Sequence, residues 1–388
     1  MAQKEKRIGI LTRGSSDFIL IVVTMLLVAL GLIMVLSASS PSSLSEYGDS
    51  YHYLRQQAIA TAAGIAGMFV LSRFDYNNYK KFKWLIYIAS IAMLVAVKFF
   101  GMEAGGAKRW INIFGFNFQP SEVSKVAFII FFAALLSDLQ ENRKIKTLGW
   151  GCWFPLVFLI PIIFSIYVLQ NHFSATLIIC AVTVVQMFIA GTTIKNFLIT
   201  AGMVTPFLCG FLAYKMGDAS SASADVNFRA TRIKTWLDPF AYPTGEGWQI
   251  IQSLYAIGSG GLFGVGLGEG KQKYLYLPEP QNDFIFAVLA EELGFFGCMV
   301  VIILFTIFIW RGVVIALRAR DNFGTLIAIG IVTLIGLQAI INIAVVTGTI
   351  PVTGMPLPFF SYGGTAILVN LCAVGILLNI SRSVKKQN

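Results

Sequence analysis

The sequence has little charge, because only 12% of its 388 residues are Asp, Glu, Lys or Arg, whereas an average soluble domain has about 25%. Hydrophobic residues make up 56% of the chain and include 32 Phe. This composition excludes a water-soluble globule. Apolar runs recur along nearly the whole length, and since a helix needs about 20 apolar residues to cross a bilayer, they predict a polytopic membrane protein.

Histidine and paired cysteine are also scarce. The only histidines are His52 and His172, so we expect no histidine metal site. The five cysteines lie in apolar segments without the spacing of disulfides or zinc sites, which predicts small core residues. The net charge of +10 does not predict a nucleic-acid partner, because positive charge in a membrane protein serves to orient the spans.

The apolar runs predict an all-α fold with about ten transmembrane helices in a single domain, residues 1–388. The predicted helices cover residues 18–38, 56–72, 84–100, 121–137, 150–169, 172–191, 194–216, 283–310, 323–347 and 364–380. Lys and Arg concentrate on the short segments of one side, which predicts that both termini are cytoplasmic. The first apolar run lacks a cleavage site, so we expect a retained helix rather than a signal peptide.

A long extracellular loop, residues 217–282, is predicted between the seventh and eighth helices, with short helices inside it. Its cations, glycines and aromatic residues favour contact with an anionic group over a passive tether. Arg229 and Arg232 would share a helix face and could bind one phosphate, or they are simply solvated. Trp248 to Tyr255 predicts a helix that lies at the membrane surface or packs on the bundle.

Glycines cluster between Gly258 and Gly270 of this loop. No buried strand precedes them and no Gly-Lys-Ser/Thr sequence follows them, so a nucleotide-binding loop is not expected. Glycine at this density instead predicts close backbone approach or repeated turns beside a ligand or a helix.

Three carboxylates follow the loop. Asp283, at the start of the eighth predicted helix, is either an N-cap or a base held at the membrane surface. Glu291 and Glu292 lie deeper, where ionisable groups are usually paired or functional, and Lys125 is their candidate partner. Lys125 can also pair with Glu122 at i, i+3, and a structural ion pair and a substrate contact both remain open.

Several motifs together resemble the SEDS family of shape, elongation, division and sporulation proteins, which includes FtsW, RodA and SpoVE. The resemblance covers essentially the whole chain. It rests on Ala107 to Ile111, Phe118 to Lys125, Trp248 to Ser253, Tyr276 to Phe284, Glu291 to Gly294 and Gly354 to Thr365.

One segment departs from the family pattern. Many members have an acidic-Pro-Asp-Leu-Gly type of sequence where this chain has Leu-Gln-Asn-His-Phe-Ser-Ala-Thr, residues 169–176. The departure removes any role for an acidic residue at that turn. Together with the run from Met355 to Thr365, it favours the FtsW and SpoVE branch over RodA.

The resemblance implies a peptidoglycan glycosyltransferase of division or sporulation that polymerises lipid II on the outer face of the bacterial cytoplasmic membrane. It implies that Asp283 is the catalytic base. The substrate-binding candidates are the matching polar and aromatic residues, Lys108, Arg109, Glu122, Lys125, Arg229, Arg232, Trp248, Gln249, Gln252 and Ser361.

The expected partners are a class B penicillin-binding protein and other membrane proteins of the division or sporulation machinery. No residue cluster requires a metal, although a divalent cation, Mg²⁺ or Mn²⁺, could share in binding the pyrophosphate. Two alternative functions belong to other classes of protein. A lipid II flippase would need a polar path and often shows inverted repeats, which we do not find, and a noncatalytic scaffold would need neither.

Overall fold

The computed structural model describes residues 16–104, 107–113, 116–141, 150–192, 232, 234–274 and 276–383 of the chain. Within these ranges the protein is a bundle of helices with one small sheet. The first helices are α1 (Phe18–Tyr47), α2 (His52–Arg73), α3 (Asn77–Lys81) and α4 (Lys83–Phe100).

The sheet follows α4 and leads into the centre of the bundle. Its strands are β1 (Met102–Ala104), β2 (Ala107–Ile113) and β3 (Phe116–Phe118). The helices after it are α5 (Pro120–Glu141), α6 (Trp150–Val157), α7 (Leu159–Ile163), α8 (Phe173–Ile189), α9 (Glu246–Gly260), α10 (Ile285–Leu317), α11 (Asn322–Val346) and α12 (Gly364–Arg382).

The core lies around α5 and α12. Nearly every residue of α5 from Pro120 to Ser137 is buried, as expected of a helix that is apolar on all sides. Helix α12 packs along α2, α10 packs against α11 and α1, and α4 packs against α5. Glu122 and Lys125, two of the predicted site residues, therefore lie in the packed centre of the bundle.

Five described helices are long and apolar enough to cross a membrane, namely α1, α4, α10, α11 and α12. Two shorter apolar helical stretches, Phe154–Leu169 and Phe173–Ile189, accompany them. The protein is thus a multi-pass membrane protein. The seventh predicted helix, 194–216, and the start of the long loop lie outside the described residues, so the number of crossings stays a prediction.

The fifth predicted helix, 150–169, is a broken one. It consists of α6, α7 and a π-helical turn, Phe164–Leu169. Pro155 and Pro161 explain the breaks, because proline lacks the N–H that an α-helix needs and clashes with the preceding turn. The wider π-helical turn delivers the chain to the turn at residues 170–172.

The three-stranded sheet was not predicted from the sequence. β2 pairs antiparallel with β1 and with β3. The strands are short, and the apolar runs that identify membrane helices contain no comparable signal for them. The sheet fixes residues 107–113 beside the start of α5, and it therefore positions the first of the family motifs.

Helix α10 is kinked at Gly294, which has φ 64° and ψ −164°. The glycine-rich segment after α9 packs backbone against backbone at this kink. Val265 and Gly266 donate their amides to the carbonyls of Glu291 and Glu292 at 3.0 and 3.1 Å. A Cβ at Gly264 would lie 2.1 Å from the Glu292 carbonyl oxygen, which confirms the predicted close approach and its need for glycine.

Candidate active site

A cavity of about 470 Å³ opens beside Asp283, at the end of the bundle where α1 ends and α10 begins. We call it the Asp283 cavity. Its polar wall combines side chains from α2, the sheet, α5, the turn before α8 and the turn before α12. The described residues that line it include Gln56, Arg109, Trp110, Asn117, Gln119, Glu122, His172, Asn282, Asp283, Gly354 and Tyr362.

A tight turn holds Asp283 at the cavity. The Glu279 carboxylate accepts hydrogen bonds from the side-chain amides of Asn282 at 2.7 Å and Gln281 at 3.3 Å. The Asn342 side chain then donates to the backbone carbonyl of Asp283 at 2.7 Å. A Cβ at Gly354 would lie 3.3 Å from Asp283 Oδ2, and Gly354 has φ +65°, so glycine leaves room beside the carboxylate.

The structure excludes the N-cap alternative for Asp283. Helix α10 begins at Ile285, its N-cap residue is Phe284, and no side-chain hydrogen bond caps it within the described chain. In that same part of the chain, no hydrogen bond reaches the Asp283 carboxylate oxygens. The carboxylate therefore faces the cavity instead of satisfying the helix end.

The surroundings of Asp283 raise its pKa to about 6. Burial is the largest cause, because it disfavours the charged form, and the nearby Glu279 carboxylate adds to it. Arg109 and Arg232 act in the opposite direction and lower the pKa of Asp283. The result is a carboxylate that is mostly ionised at pH 7 and yet basic enough to accept a proton.

Arg109 is held at the cavity by the turn before α8. Its Nε donates to the carbonyl of Gln170 at 3.1 Å and its Nη2 to the carbonyl of Asn171 at 2.7 Å. Asn171 has φ 48°, a left-handed conformation that asparagine tolerates better than most residues. The neighbouring Lys108 is exposed on β2. The structure thus brings one of the two predicted cations of this motif to the cavity wall.

Glu122 and Lys125 form the buried ion pair that their spacing permits. Lys125 Nζ lies 2.7 Å from Glu122 Oε1, and both side chains are less than 5% exposed. Glu122 lines the cavity from the first turn of α5, and Lys125 stands behind it. Lys125 therefore pairs with Glu122, and its predicted pairing with Glu291 or Glu292 was wrong.

His172 lines the cavity at the turn where the sequence departs from the family pattern. Burial, together with the charges of Arg109 and Lys125, lowers its pKa to about 3. The imidazole is therefore neutral near pH 7. Its Nδ1 is buried and has no hydrogen-bond partner in the described part of the molecule.

The two predicted loop arginines have different outcomes. Arg232 is close enough to Asp283 for its charge to lower the pKa of that carboxyl. Its Nη1 donates to the Val352 carbonyl at 3.1 Å. Arg229 lies outside the described residues. Their joint grip on a phosphate stays a prediction.

The other predicted substrate contacts lie in packed or exposed positions around α9 and the turn before α12. Trp248 donates its Nε1–H to the Tyr276 carbonyl at 2.6 Å, Gln249 is half-buried, and Gln252 is buried. Helix α9 packs on α10. Ser361 Oγ accepts the Leu357 amide at 2.7 Å. In this structure Ser361 shapes a turn, and the four substrate roles stay predictions.

Glu292 has a different partner, Lys273. Lys273 Nζ donates to Glu292 Oε1 at 2.7 Å, to the Gly268 carbonyl at 2.6 Å and to Ser37 Oγ at 3.0 Å. The side chains of Lys273 and Glu292 are 3% and 0% exposed. We call these four residues the Lys273 cluster. Beside it, Glu291 Oε1 accepts the Lys271 amide at 2.8 Å.

Sequence reasoning missed several residues of the Asp283 cavity. Gln56, Asn117, Tyr362 and His172 all line it. They come from four separate elements, and each is a common polar residue without a diagnostic spacing. Two signals were available, because Tyr362 lies within the motif Gly354 to Thr365 and the departure at residues 169–176 marked the turn that carries His172.

The chain resembles known proteins over almost its full length. The family model described as "Cell cycle protein", for FtsW, RodA and SpoVE, matches residues 17–386. The chain is 40% identical over 372 residues to "Stage V sporulation protein E" of Bacillus subtilis, covering 95% of this chain and 98% of that protein. It is 39% identical over 371 residues to "Probable peptidoglycan glycosyltransferase FtsW" of Geobacter sp. strain M18, covering 95% and 97%.

Solved structures show the same fold. One, described as "Structural coordination of polymerization and crosslinking by a peptidoglycan synthase complex", matches with a TM-score of 0.77 at 24% identity, over 96% of this chain and 99% of that chain. The Thermus thermophilus rod shape determining protein RodA matches with a TM-score of 0.68 at 23% identity, over 96% and 98%. The predicted family and branch are therefore confirmed, and this chain belongs to the FtsW, RodA and SpoVE family.

Proposed function

We propose that this protein is a peptidoglycan glycosyltransferase that polymerises lipid II, with Asp283 as its catalytic base. The observation that carries the proposal is a half-buried carboxylate with a pKa of about 6 that faces a cavity beside Arg109. The name of one relative, "Probable peptidoglycan glycosyltransferase FtsW", supports the same activity. A general base is most effective when its pKa lies near the working pH.

The reaction needs one proton acceptor. Asp283 removes the proton from the 4-hydroxyl of the acceptor's terminal N-acetylglucosamine, and this oxygen attacks the anomeric carbon of the donor's N-acetylmuramic acid with inversion. The bond to polyprenyl pyrophosphate breaks as the new bond forms. Glycoside hydrolysis usually needs a second carboxyl group as acid, whereas pyrophosphate leaves as a stable anion without one.

Cations near the Asp283 cavity would stabilise that leaving group. Arg109 is fixed by two carbonyls at the cavity wall and can present a planar guanidinium to phosphate oxygens. Arg232 is the second candidate because its charge reaches Asp283. The Glu122 and Lys125 pair would support the cavity wall, which Glu122 lines.

The proposal includes no step through a divalent cation. In the described ranges, no three His, Cys, Asp or Glu side chains come together as metal ligands. A divalent cation stays a prediction, because Mg²⁺ is often bound by one or two carboxylates together with substrate phosphates. The protein's own cations proposed to bind the pyrophosphate are the arginines.

The proposed location follows from the substrate and from the charge distribution. With both termini in the cytoplasm, the Asp283 cavity opens on the outer face of the cytoplasmic membrane, where a lipid-linked disaccharide would present its head group. We further propose a class B penicillin-binding protein as the partner, because a solved structure of the same fold is described as a peptidoglycan synthase complex. Other division or sporulation membrane proteins would join this pair.

The test is polymerisation of lipid II by the purified protein together with its class B penicillin-binding protein. Asp283→Asn should lower glycan synthesis by a factor on the order of 10² to 10⁴, the usual contribution of a general base. Asp238→Asn is the matched control. Asp238 caps a short turn by accepting the Ala241 amide, and asparagine caps equally well, so normal activity is expected.

Thermal unfolding of Asp283→Asn completes the experiment. Because burial raises the pKa of Asp283, the charged form destabilises the fold above pH 6, and its removal should leave the unfolding temperature equal or higher. A variant that still makes normal glycan chains would overturn the assignment of the base. If wild-type and variant proteins translocate lipid II equally well and neither polymerises it, a flippase is supported instead.

A further inference from the structure

Four aromatic rings form a connected cluster at the rim of the Asp283 cavity. Tyr47 stacks on His52 with centroids 4.0 Å apart, and Tyr53 meets the edges of both rings at 5.7 and 5.8 Å. Tyr53 also lies 4.9 Å from the ring of Tyr362. We call Tyr47, His52, Tyr53 and Tyr362 the aromatic platform.

The chain builds the platform from the turn between α1 and α2. Helix α1 ends at Tyr47 because Gly48 adopts the left-handed conformation, with φ 68°, and caps it. Helix α2 begins at His52. This short connection places Tyr47 from the end of α1 against His52 and Tyr53 from the start of α2, and Tyr362 joins them from the turn before α12.

Polar groups surround the rings and connect them with the cavity. Tyr53 donates its hydroxyl proton to Glu46 Oε2 at 2.7 Å. Gln56 Nε2 lies 3.0 Å from His52 Nε2, and the Tyr362 hydroxyl donates to Gln56 Oε1. Gln56 and Tyr362 both line the Asp283 cavity. One continuous surface therefore runs from the catalytic carboxylate to Tyr47, whose side chain is 53% exposed.

We propose that the aromatic platform binds sugar units of the growing glycan strand as they leave the Asp283 cavity. Pyranose rings present C–H groups that pack on aromatic faces, and their hydroxyl and acetamido groups pair with carboxylates and amides. Aromatic rings beside Glu46 and Gln56 supply both kinds of contact. The proposal rests on the proposed polymerase function and adds a glycan subsite to it.

The platform lies away from Asp283, so its proposed role is distinct from bond formation. The first bond joins two lipid II head groups at Asp283, and each contributes only one sugar beyond the reacting one. Later cycles produce a strand long enough to cover the platform. The platform therefore retains a growing strand between additions, and its loss shortens strands more than it slows the first coupling.

The experiment measures glycan length with the full-length protein, its class B penicillin-binding protein and fluorescent lipid II, with products separated by gel electrophoresis. Tyr47→Ala should shorten the mean strand by about threefold to tenfold, the factor expected when one aromatic contact with the strand is lost. Tyr47→Phe keeps the ring and should keep the strand length. Phe99→Ala removes another exposed ring at the end of α4, with 73% exposure against 53% for Tyr47, and should change nothing.

Three results would overturn the proposed role of the platform in glycan binding. The first is that Tyr47→Ala makes strands of wild-type length while the wild type polymerises normally. This result would leave the proposed polymerase function intact. The second is that Tyr47→Ala loses its co-purified penicillin-binding protein in proportion to the shortening of the strands. The surface would then be a contact with that protein. The third is equal loss of thermal stability and strand length in Tyr47→Ala and Phe99→Ala, which makes Tyr47 a membrane anchor.

Discussion

The Lys273 cluster and the Asp283 cavity differ in how their carboxylates are surrounded. Lys273 has three hydrogen-bond acceptors, and the Glu292 carboxylate binds both Lys273 and Ser37. Asp283 instead has a raised pKa and a cavity in front of it. The two carboxylates are nine positions apart in sequence, on either side of the first turns of α10.

This difference distinguishes a carboxylate with a structural role from one that is available for catalysis. A buried charge whose partners are complete stabilises one arrangement and has little capacity left for a substrate. A half-buried carboxylate without such partners is costly to the fold, and its pKa moves to where proton transfer is useful. Glu292 therefore joins α1, α10 and the glycine-rich segment, whereas Asp283 is available to react.

Breaking the Lys273 cluster should produce the largest loss of stability. Lys273→Met leaves the Glu292 carboxylate buried without its cation, and removal of one partner from a buried pair costs about 3 to 5 kcal/mol. Chemical unfolding in detergent measures the loss. The double variant Lys273→Met with Glu292→Leu should recover part of it. A single variant as stable as the wild type would contradict the structural role of the cluster.

A pair of glycine substitutions tests the close contact beside that cluster. Gly264 and Gly268 both have positive φ, but only at Gly264 would a Cβ meet backbone, 2.1 Å from the Glu292 carbonyl oxygen. Gly264→Ala should therefore lower the free energy of unfolding by about 1 to 3 kcal/mol more than Gly268→Ala, the usual range for overpacking. Equal losses would show that strained φ alone requires these glycines.

The pH dependence of polymerisation tests the Asp283 side of the comparison. A base with a pKa of about 6 is protonated in acid, so the rate should be level above pH 7. It should fall about tenfold per pH unit well below pH 6. Initial rates between pH 4.5 and 8, with a stability check at each pH, measure the midpoint.

Two variants sharpen this profile. Glu279→Gln removes a charge that raises the pKa of Asp283, so its midpoint should lie below that of the wild type. His172→Gln should leave the midpoint in place, because His172 has a pKa of about 3 and is neutral over this range. A midpoint that moves with His172 and stays unchanged with Glu279 would assign the acid limb to the histidine.

The sequence predicted the helices better than their interruptions. The apolar runs located the helices that became α1, α4, α5, α10, α11 and α12, because hydrophobic segments of that length have few alternatives in a membrane. The break of α10 at Gly294 and the small sheet were missed. The kink depends on backbone hydrogen bonds to Gly261 and Leu262, which are distant in sequence and produce no local periodicity. The strands pair with their neighbours in the chain, but they are too short to show a clear alternating pattern.

By itself, the sequence determined the membrane character, the family, the close packing of the glycine-rich segment and the candidates Asp283 and Arg109. Only the tertiary structure decided which charges meet. It paired Lys125 with Glu122 and Glu292 with Lys273, and it brought His172, Gln56 and Tyr362 to the same cavity. The physical reason is that burial and partners, which set a charged group's pKa and cost, come from elements far apart in the chain.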